Sequence, residues 1–421
     1  MGQTLRRWVM RSETWLWLLL AYPIIDFVLR KILPIPVVSS LWDDALLLVL
    51  LLFTFVAYLK RRRTLPDIKH LFAALFVLGI GLTVTDMANA DVSIEGFRAI
   101  FQYMLAFFAG FYLVESAPQL DRLVKILTGV AFIVGLIGVA QVVLGIETSL
   151  AWVNAGEAMR TRAYSIVTSP NVLGSYMAFI VPVALGLCLH STNKWHRYLW
   201  AGVTLTTLAA LVATGSRGAW FAFAFVIFIG TLMWSRRIAT WLVIAGILGA
   251  VVLAVLPESL PVIGPIKDRI TTLFTREYFE KSLSDGRLAR WMDAYDQLRQ
   301  EPLFGAGLGH HGGAVAARHF GVIYTDSYLF KSMAELGIVG VGLLIALVAV
   351  TIRYAFRLVR QAMDSPRFFL VLGLACGMLA VALHNMVENI FEVPFMALYF
   401  WLFGGLLTGL MTDYAKATRS Q

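Results

Sequence analysis

Apolar residues in this chain run in long blocks, and polar residues collect in the gaps between them. A helix that crosses a membrane takes about 20 mostly apolar residues, because a rise of about 1.5 Å per residue must span roughly 30 Å of hydrocarbon. Twelve stretches have that character: 15–33, 41–59, 68–85, 97–115, 123–145, 172–190, 199–214, 218–234, 238–256, 327–351, 368–386 and 391–413. One gap, 257–326, is far longer than the others. Within it Leu288, Trp291, Tyr295 and Leu298 recur at helical spacing, with Arg290, Asp293 and Asp296 off that stripe. That spacing predicts an amphipathic helix packed on the protein itself. The expected fold class is all-α: a polytopic membrane helix bundle of about 12 transmembrane helices with one large, partly helical external loop. It divides into 1–256 with spans 1–9, the loop 257–326, and 327–421 with spans 10–12.

Composition agrees. Of the 421 residues 59% are hydrophobic and 14% charged, against about 45–50% and about 25% in soluble domains. So little polar surface could not cover a soluble globule of this size. Two cysteines exclude a disulfide scaffold; Cys188 and Cys376 each stand alone in an apolar run and read as packing residues. The net charge of +9 does not indicate nucleic acid, because the basic residues flank apolar segments as positive-inside topology requires. With a cytoplasmic N-terminus, the inner side collects Arg6, Arg7, Arg11, Lys60–Arg63, Lys69, Arg122, Lys125, Lys194, Arg197, Arg236, Arg237, Arg353, Arg357, Arg360, Arg367, Lys416 and Arg419. Both termini are then cytoplasmic, and the first span, with no small-residue cleavage site behind it, is a retained anchor.

Ionisable groups near membrane depth are costly, about 2.5–3.5 kcal/mol for a central Arg on insertion scales, and mark function or a specific partner. Four places on the external side stand out. Arg160 and Arg162 precede Ser169-Pro170-Asn171, a turn into a helix start where free N–H groups favour anions; interfacial anchoring is the alternative. Arg217 lies in Thr214-Gly215-Ser216-Arg217-Gly218, a turn that joins two spans with almost no loop. Arg287 and Arg290 open the amphipathic helix, with Arg287 able to point down at the membrane surface. Asp326 directly precedes the tenth span, where it can cap the helix or act as a general base; Glu335, further in, needs an internal partner. Arginine suits phosphate, since its planar fork binds oxygen pairs and keeps its charge, and a lipid-linked pyrophosphate lies at this depth. A nearby carboxylate can take the proton of an attacking hydroxyl. No acidic metal pair and no P-loop occurs, so no metal or cofactor is implied.

These segments resemble, in order, motifs of the superfamily of O-antigen ligases and bacterial surface-polysaccharide polymerases. Arg162 through Pro170-Asn171 resembles its arginine before a Pro-Asn pair, and Ser216-Arg217-Gly218 its Ser-Arg-Gly turn. Gly286-Arg287 with Trp291, followed by Pro302-Leu-Phe-Gly305-Ala-Gly307, resembles its Gly-Arg segment and glycine-rich stretch. Asp326 through Glu335-Leu-Gly337 resembles its last motif. The match covers roughly 160–340. His384 and Glu388, four apart on one helical face, resemble a downstream His–acid pair; a satisfied polar pair is the other reading.

The resemblance implies a glycosyltransferase of the bacterial inner membrane, working at the periplasmic face. It takes glycan from an undecaprenyl-pyrophosphate-linked donor to a hydroxyl acceptor, either a second lipid-linked glycan or lipid A-core. Arg162, Arg217 and Arg287 bind the donor pyrophosphate and Asp326 is the base. Ligases of the superfamily carry histidine where Asp326 stands, whereas polymerases often carry aspartate, which favours a polymerase. His310, His311 and His319 are candidates for a displaced histidine base, and the glycines of 305–313 for a loop that closes over the glycan. A different class, an anion transporter, would place ionisable groups on broken helices near the midplane.

Overall fold

The structure is a computed structural model that describes residues 12–60, 63–149, 152, 161–167, 169–257 and 263–417; Arg160 lies outside them. All regular elements among these residues are helical. In chain order they are α1 Ser12–Leu20, α2 Tyr22–Phe27, α3 Pro36–Lys60, α4 Ile68–Thr85, α5 Met87–Leu113, α6 Ala117–Val143, α7 Pro170–His190, α8 Lys194–Ala213, α9 Arg217–Trp234 and α10 Arg236–Val255. The long loop holds α11 Ile263–Thr271, α12 Arg276–Ser284, α13 Arg287–Gln300 and α14 Ala314–Phe320. Then come α15 Tyr328–Gln361, α16 Phe368–His384 and α17 Pro394–Ala417. Prolines open α3, α7 and α17, the first-turn position where a missing N–H costs nothing.

Each of the twelve predicted spans is helical, and nine helices among the described residues are long and apolar enough to cross a membrane. The remaining three differ for local reasons. The first span is interrupted between α1 and α2 and ends in a π turn at Val28–Ile32. The seventh, α8, opens on Lys194, Trp195, His196 and Arg197, which dilute its apolar content. The eleventh, α16, has 17 residues.

The chain forms two compact units. One comprises Met1–Val130, Arg290–Val371 and Asn385–Gln421, the other Ala131–Ala289 and Leu372–His384. In the first unit α5 and α17 touch backbone to backbone: a Cβ on Gly110 would strike the Leu402 carbonyl, and one on Gly405 the Phe107 carbonyl. Membrane helices gain van der Waals contact by such small-residue approach. Tyr399, Phe400, Trp401 and Phe403 of α17 fill this core, and the Tyr399 hydroxyl donates to the Leu20 carbonyl at 2.6 Å. In the second unit α7 packs on α8 and α9. Its Pro182 and Phe179 lie against Gly373 and Gly377 of α16.

The feature that shapes the first unit is a break in α15. Gly337 takes φ 64° and ψ −172° inside an otherwise helical run, so the backbone groups around it lose their helical partners. Residues 302–307 replace those partners. Ile338 N donates to Pro302 O at 2.9 Å and Val339 N to Leu303 O at 3.3 Å. On the other side of the break, Ala306 N donates to Ala334 O at 2.8 Å and Gly307 N to Glu335 O at 3.2 Å. Irregular backbone at membrane depth is tolerated only when protein satisfies it in this way. Glycine is required on both sides of the contact: Gly305 has φ +72°, and side chains at Gly305 or Gly337 would collide with the facing backbone. The glycine-rich stretch is therefore a packed insert, which corrects the expectation that its glycines make a mobile closing loop.

Gly337→Ala is expected to lower stability by about 2 kcal/mol or more, since a strained φ and a backbone collision add. Gly342→Ala, whose Cβ meets nothing within 4 Å, should be neutral or stabilising. Thermal unfolding of the detergent-solubilised protein checks both.

Candidate functional site

In the second unit, three arginines meet at the turn 214–217. Arg162, only 5% exposed, spends its fork on protein. Its Nε donates to Thr214 O at 2.8 Å, Nη1 to Trp152 O at 2.8 Å and Nη2 to Asn171 Oδ1 at 3.0 Å. The Pro170-Asn171 helix start thus serves to hold Arg162. Thr148 Oγ1 brackets the same residue, accepting from its N–H at 2.7 Å and donating to its carbonyl at 2.9 Å. Arg162 so placed is chiefly the post on which the turn is built.

Arg217 begins α9, where the helix dipole adds positive potential to its own charge. Its Nη1 donates to Arg269 O at 3.3 Å and Nη2 to Tyr278 Oη at 3.2 Å, while the guanidinium lies over the Tyr278 ring, 4.9 Å from its centre. Arg269 was not legible as a site residue. It sits on α11 and is buried, with Nε and Nη2 both donating to Gly215 O, at 3.3 and 3.1 Å. Arg287, also of the second unit, starts α13 and is within electrostatic reach of His384 at the end of α16. A triad of guanidinium groups around one short turn, at the start of an 18-residue helix, is chemistry suited to a multiply charged anion.

The first unit carries Asp326. Asp326 has φ +52°, a left-handed conformation that non-glycine residues hold at a cost of about 1–3 kcal/mol. It does not cap α15; Ser327 does, its Oγ accepting from Phe330 N at 3.3 Å. Freed from capping, Asp326 extends Oδ2 to Arg290 Nη1 at 2.6 Å. Arg290 is held in turn by α13, whose Trp291 stacks on Phe330 at 5.1 Å. Tyr295, expected on the packed stripe of that helix, is exposed; Ala294 is the residue fully buried there.

Behind Asp326 lies a buried ionic group. Lys331 Nζ contacts Glu335 Oε2 at 2.6 Å and Glu392 Oε1 at 3.1 Å, with Lys331 1% and Glu335 0% exposed. Glu335 thus has the internal partner its position demanded. Its Oε1 also accepts from His311 N at 3.3 Å, and Glu392 Oε2 from Ala314 N at 3.2 Å. Gly313 must be glycine because a side chain there would strike Lys331 and Glu392. Lys331 and Glu335 stand at i, i+4, a spacing that signals such a pair; nothing in the sequence signals Glu392.

The histidines of the loop are each paired. His310 Nε2 lies 2.6 Å from Asp86 Oδ2, and its ring stacks on Phe320. Burial would raise the Asp86 carboxyl, but hydrogen bonds from Ser93 and Asn89 and the His310 contact hold it below the ordinary value. His319 sits 3.3 Å from Glu95, which Arg318 also reaches at 2.9 Å. His311 Nε2 is 3.7 Å from Asp293; burial pushes its imidazole below the ordinary value, with Asp293 opposing and Lys331 adding to the shift. One expectation fails: α16 ends at His384 and Glu388 lies beyond the turn that follows it, so the two do not share a helical face. Beyond the helix end, the Asn385 and Glu388 carbonyls accept from Tyr328 N, at 3.0 and 3.3 Å.

A family model described as O-antigen ligase matches residues 202–345, the stretch that contains Arg217, Arg269, Arg287, the inserted glycine segment and Asp326. No curated protein matches the chain. The match supports the superfamily resemblance of the motifs and a multi-pass membrane enzyme that transfers glycan, with lipid-linked glycan and lipid as partners.

Lys331→Met should lower stability by about 3–5 kcal/mol, because it strands two buried carboxylates; thermal unfolding reads this. His311 gives a pH test. Its lowered value means that the unfolded chain takes up a proton first, so stability is intact above the ordinary histidine range, about 6.5, and falls as pH drops through it. His311→Gln should flatten the decline in melting temperature between about pH 7.5 and 5.5.

Proposed function

We propose that this member of the O-antigen ligase and surface-polysaccharide polymerase superfamily is a polymerase of the bacterial inner membrane. It moves glycan from an undecaprenyl-pyrophosphate-linked donor to a hydroxyl of a second lipid-linked glycan, on the periplasmic face, with both termini cytoplasmic. The observation that carries this reading is the gathering of Arg162, Arg217 and Arg269 at the one turn between α8 and α9. Cleavage of a glycosyl pyrophosphate leaves negative charge on the departing phosphate. Preorganised guanidinium groups stabilise that charge without reorganising when it forms. In this proposal Arg217 and Arg287 bind the pyrophosphate directly, and Arg162 holds the turn while adding its field.

Asp326 is proposed as the base that takes the acceptor hydroxyl proton, a step worth about 10²–10⁴-fold. Its left-handed backbone and its separation from the capping role support this, since strained residues persist where a side chain must be aimed. Arg290 orients it through the 2.6 Å contact. One observation favours a second base: His310 is aligned by Asp86 at 2.6 Å, the arrangement of an imidazole oriented by a carboxylate. Transfer to lipid A-core, the ligase reaction, uses the same donor chemistry; the aspartate at 326 favours the polymerase. The break in α15 bears on the transporter reading too. Its freed backbone groups are bonded to residues 302–307, whereas a midplane ion site would turn them towards a cavity.

The test is the surface-glycan profile of a deletion strain complemented with wild type, Arg217→Ala, Asp326→Asn or His310→Gln. The expected result is loss of the long-chain ladder with single repeats retained for Arg217→Ala and Asp326→Asn, and a normal ladder for His310→Gln. The reverse order of the last two would move the base to His310. Full-length polymer accumulating on the carrier, with bare lipid A-core, would make the protein a ligase.

A further inference from the structure

Arg217 can serve a pyrophosphate only if its long side chain is presented in one pose, and two groups from the external loop determine that pose. Neither belongs to a motif, and both come from helices more than fifty residues further along the chain. Arg269 acts twice. Its guanidinium is tied to Gly215 O through Nε and Nη2, which fastens α11 to the turn, and its own carbonyl then accepts from Arg217 Nη1. Gly215 can offer that carbonyl because it takes φ +61°, a conformation open to glycine. Tyr278 acts once, from the first turn of α12. Thr275 caps this helix, accepting from Tyr278 N at 3.3 Å, and so fixes where the phenol stands. The ring lies under the Arg217 guanidinium, and the hydroxyl accepts from Nη2.

We propose that Arg269 and Tyr278 are positioning residues for the donor site, which makes α11 and α12 a clamp that presents Arg217 to the pyrophosphate. This rests on reading Arg217 as a donor ligand. Of the five N–H donors of Arg217, one on each Nη is committed to these partners, and the planar fork is thereby oriented. The buried Arg269 also brings a second positive charge beside Arg217, so it raises the local potential as well as fixing geometry. The external loop accordingly builds part of the donor site; its role goes beyond covering the membrane helices.

The test uses the full chain in nanodiscs with an undecaprenyl-pyrophosphate-linked glycan as substrate and inorganic pyrophosphate as competitor. Donor KM, acceptor KM, inhibition by pyrophosphate and melting temperature are measured for Arg217→Ala, Arg269→Ala and Tyr278→Phe. Loss of one hydrogen bond to a charged group predicts for Tyr278→Phe a rise of about ten-fold in donor KM and in the pyrophosphate inhibition constant. Acceptor KM and melting temperature should stay as in wild type, which a merely structural loss would not allow. Arg269→Ala should raise the same two constants further. If Arg217→Ala raises them and Tyr278→Phe leaves them unchanged, the clamp is refuted while the donor site stands. If Arg217→Ala itself leaves pyrophosphate inhibition unchanged, the reading of Arg217 falls and the clamp with it. Should Arg269→Ala fail to fold, Tyr278→Phe decides alone.

Discussion

A helix interrupted inside a packed interior must have its freed backbone groups bonded by protein, and the first unit is arranged around that requirement. The break at Gly337 is filled by residues 302–307, which return four backbone hydrogen bonds to α15. That insertion fixes the start of the glycine-rich segment. Glu335 and Glu392, both paired with Lys331, fix its continuation by accepting from the N–H groups of His311 and Ala314. Thr325 N then donates to Gly312 O at 2.8 Å, so the backbone entering Asp326 hangs from the same framework. The strain at Asp326 is thus sustained by a set of buried bonds that a single loop could not provide.

The second unit solves a different problem, how to keep several guanidinium groups at one turn. Carbonyl oxygens do much of this. Thr214 O, Gly215 O, Trp152 O and Arg269 O all accept from arginines. A carbonyl holds a cation by its dipole and leaves the net positive charge in place, whereas a carboxylate would cancel it. In the proposed reading a pyrophosphate would meet guanidinium groups that these bonds already orient.

Much of the fold could be read from the chain, since apolar runs of spanning length are a strong signal. The spans that departed from it were those with a proline-bearing interruption, a charged first turn or a length of 17 residues. Arg217 and Asp326 were legible because charges at the edges of spans are conspicuous. Arg269 and Tyr278 were not: in a long loop rich in polar residues, nothing in their spacing marks them, and only the fold brings them to Gly215 and Arg217. The glycines of 305–313 were misread for a related reason. Glycine spacing alone does not separate a mobile loop from a backbone pressed against a helix, and the deciding partner, Gly337, looked like any glycine in an apolar run. The His384–Glu388 spacing suggests one helical face because nothing in the apolar run announces that α16 ends at His384.

The most direct measurement incubates the purified chain, reconstituted in lipid, with undecaprenyl-pyrophosphate-linked repeat as the sole glycan, and follows both glycan length and free undecaprenyl pyrophosphate. Glycans of increasing length on the carrier, with one undecaprenyl pyrophosphate released per bond formed, are the predicted result. Intact donor with no release, under conditions in which the protein remains folded, would contradict the account.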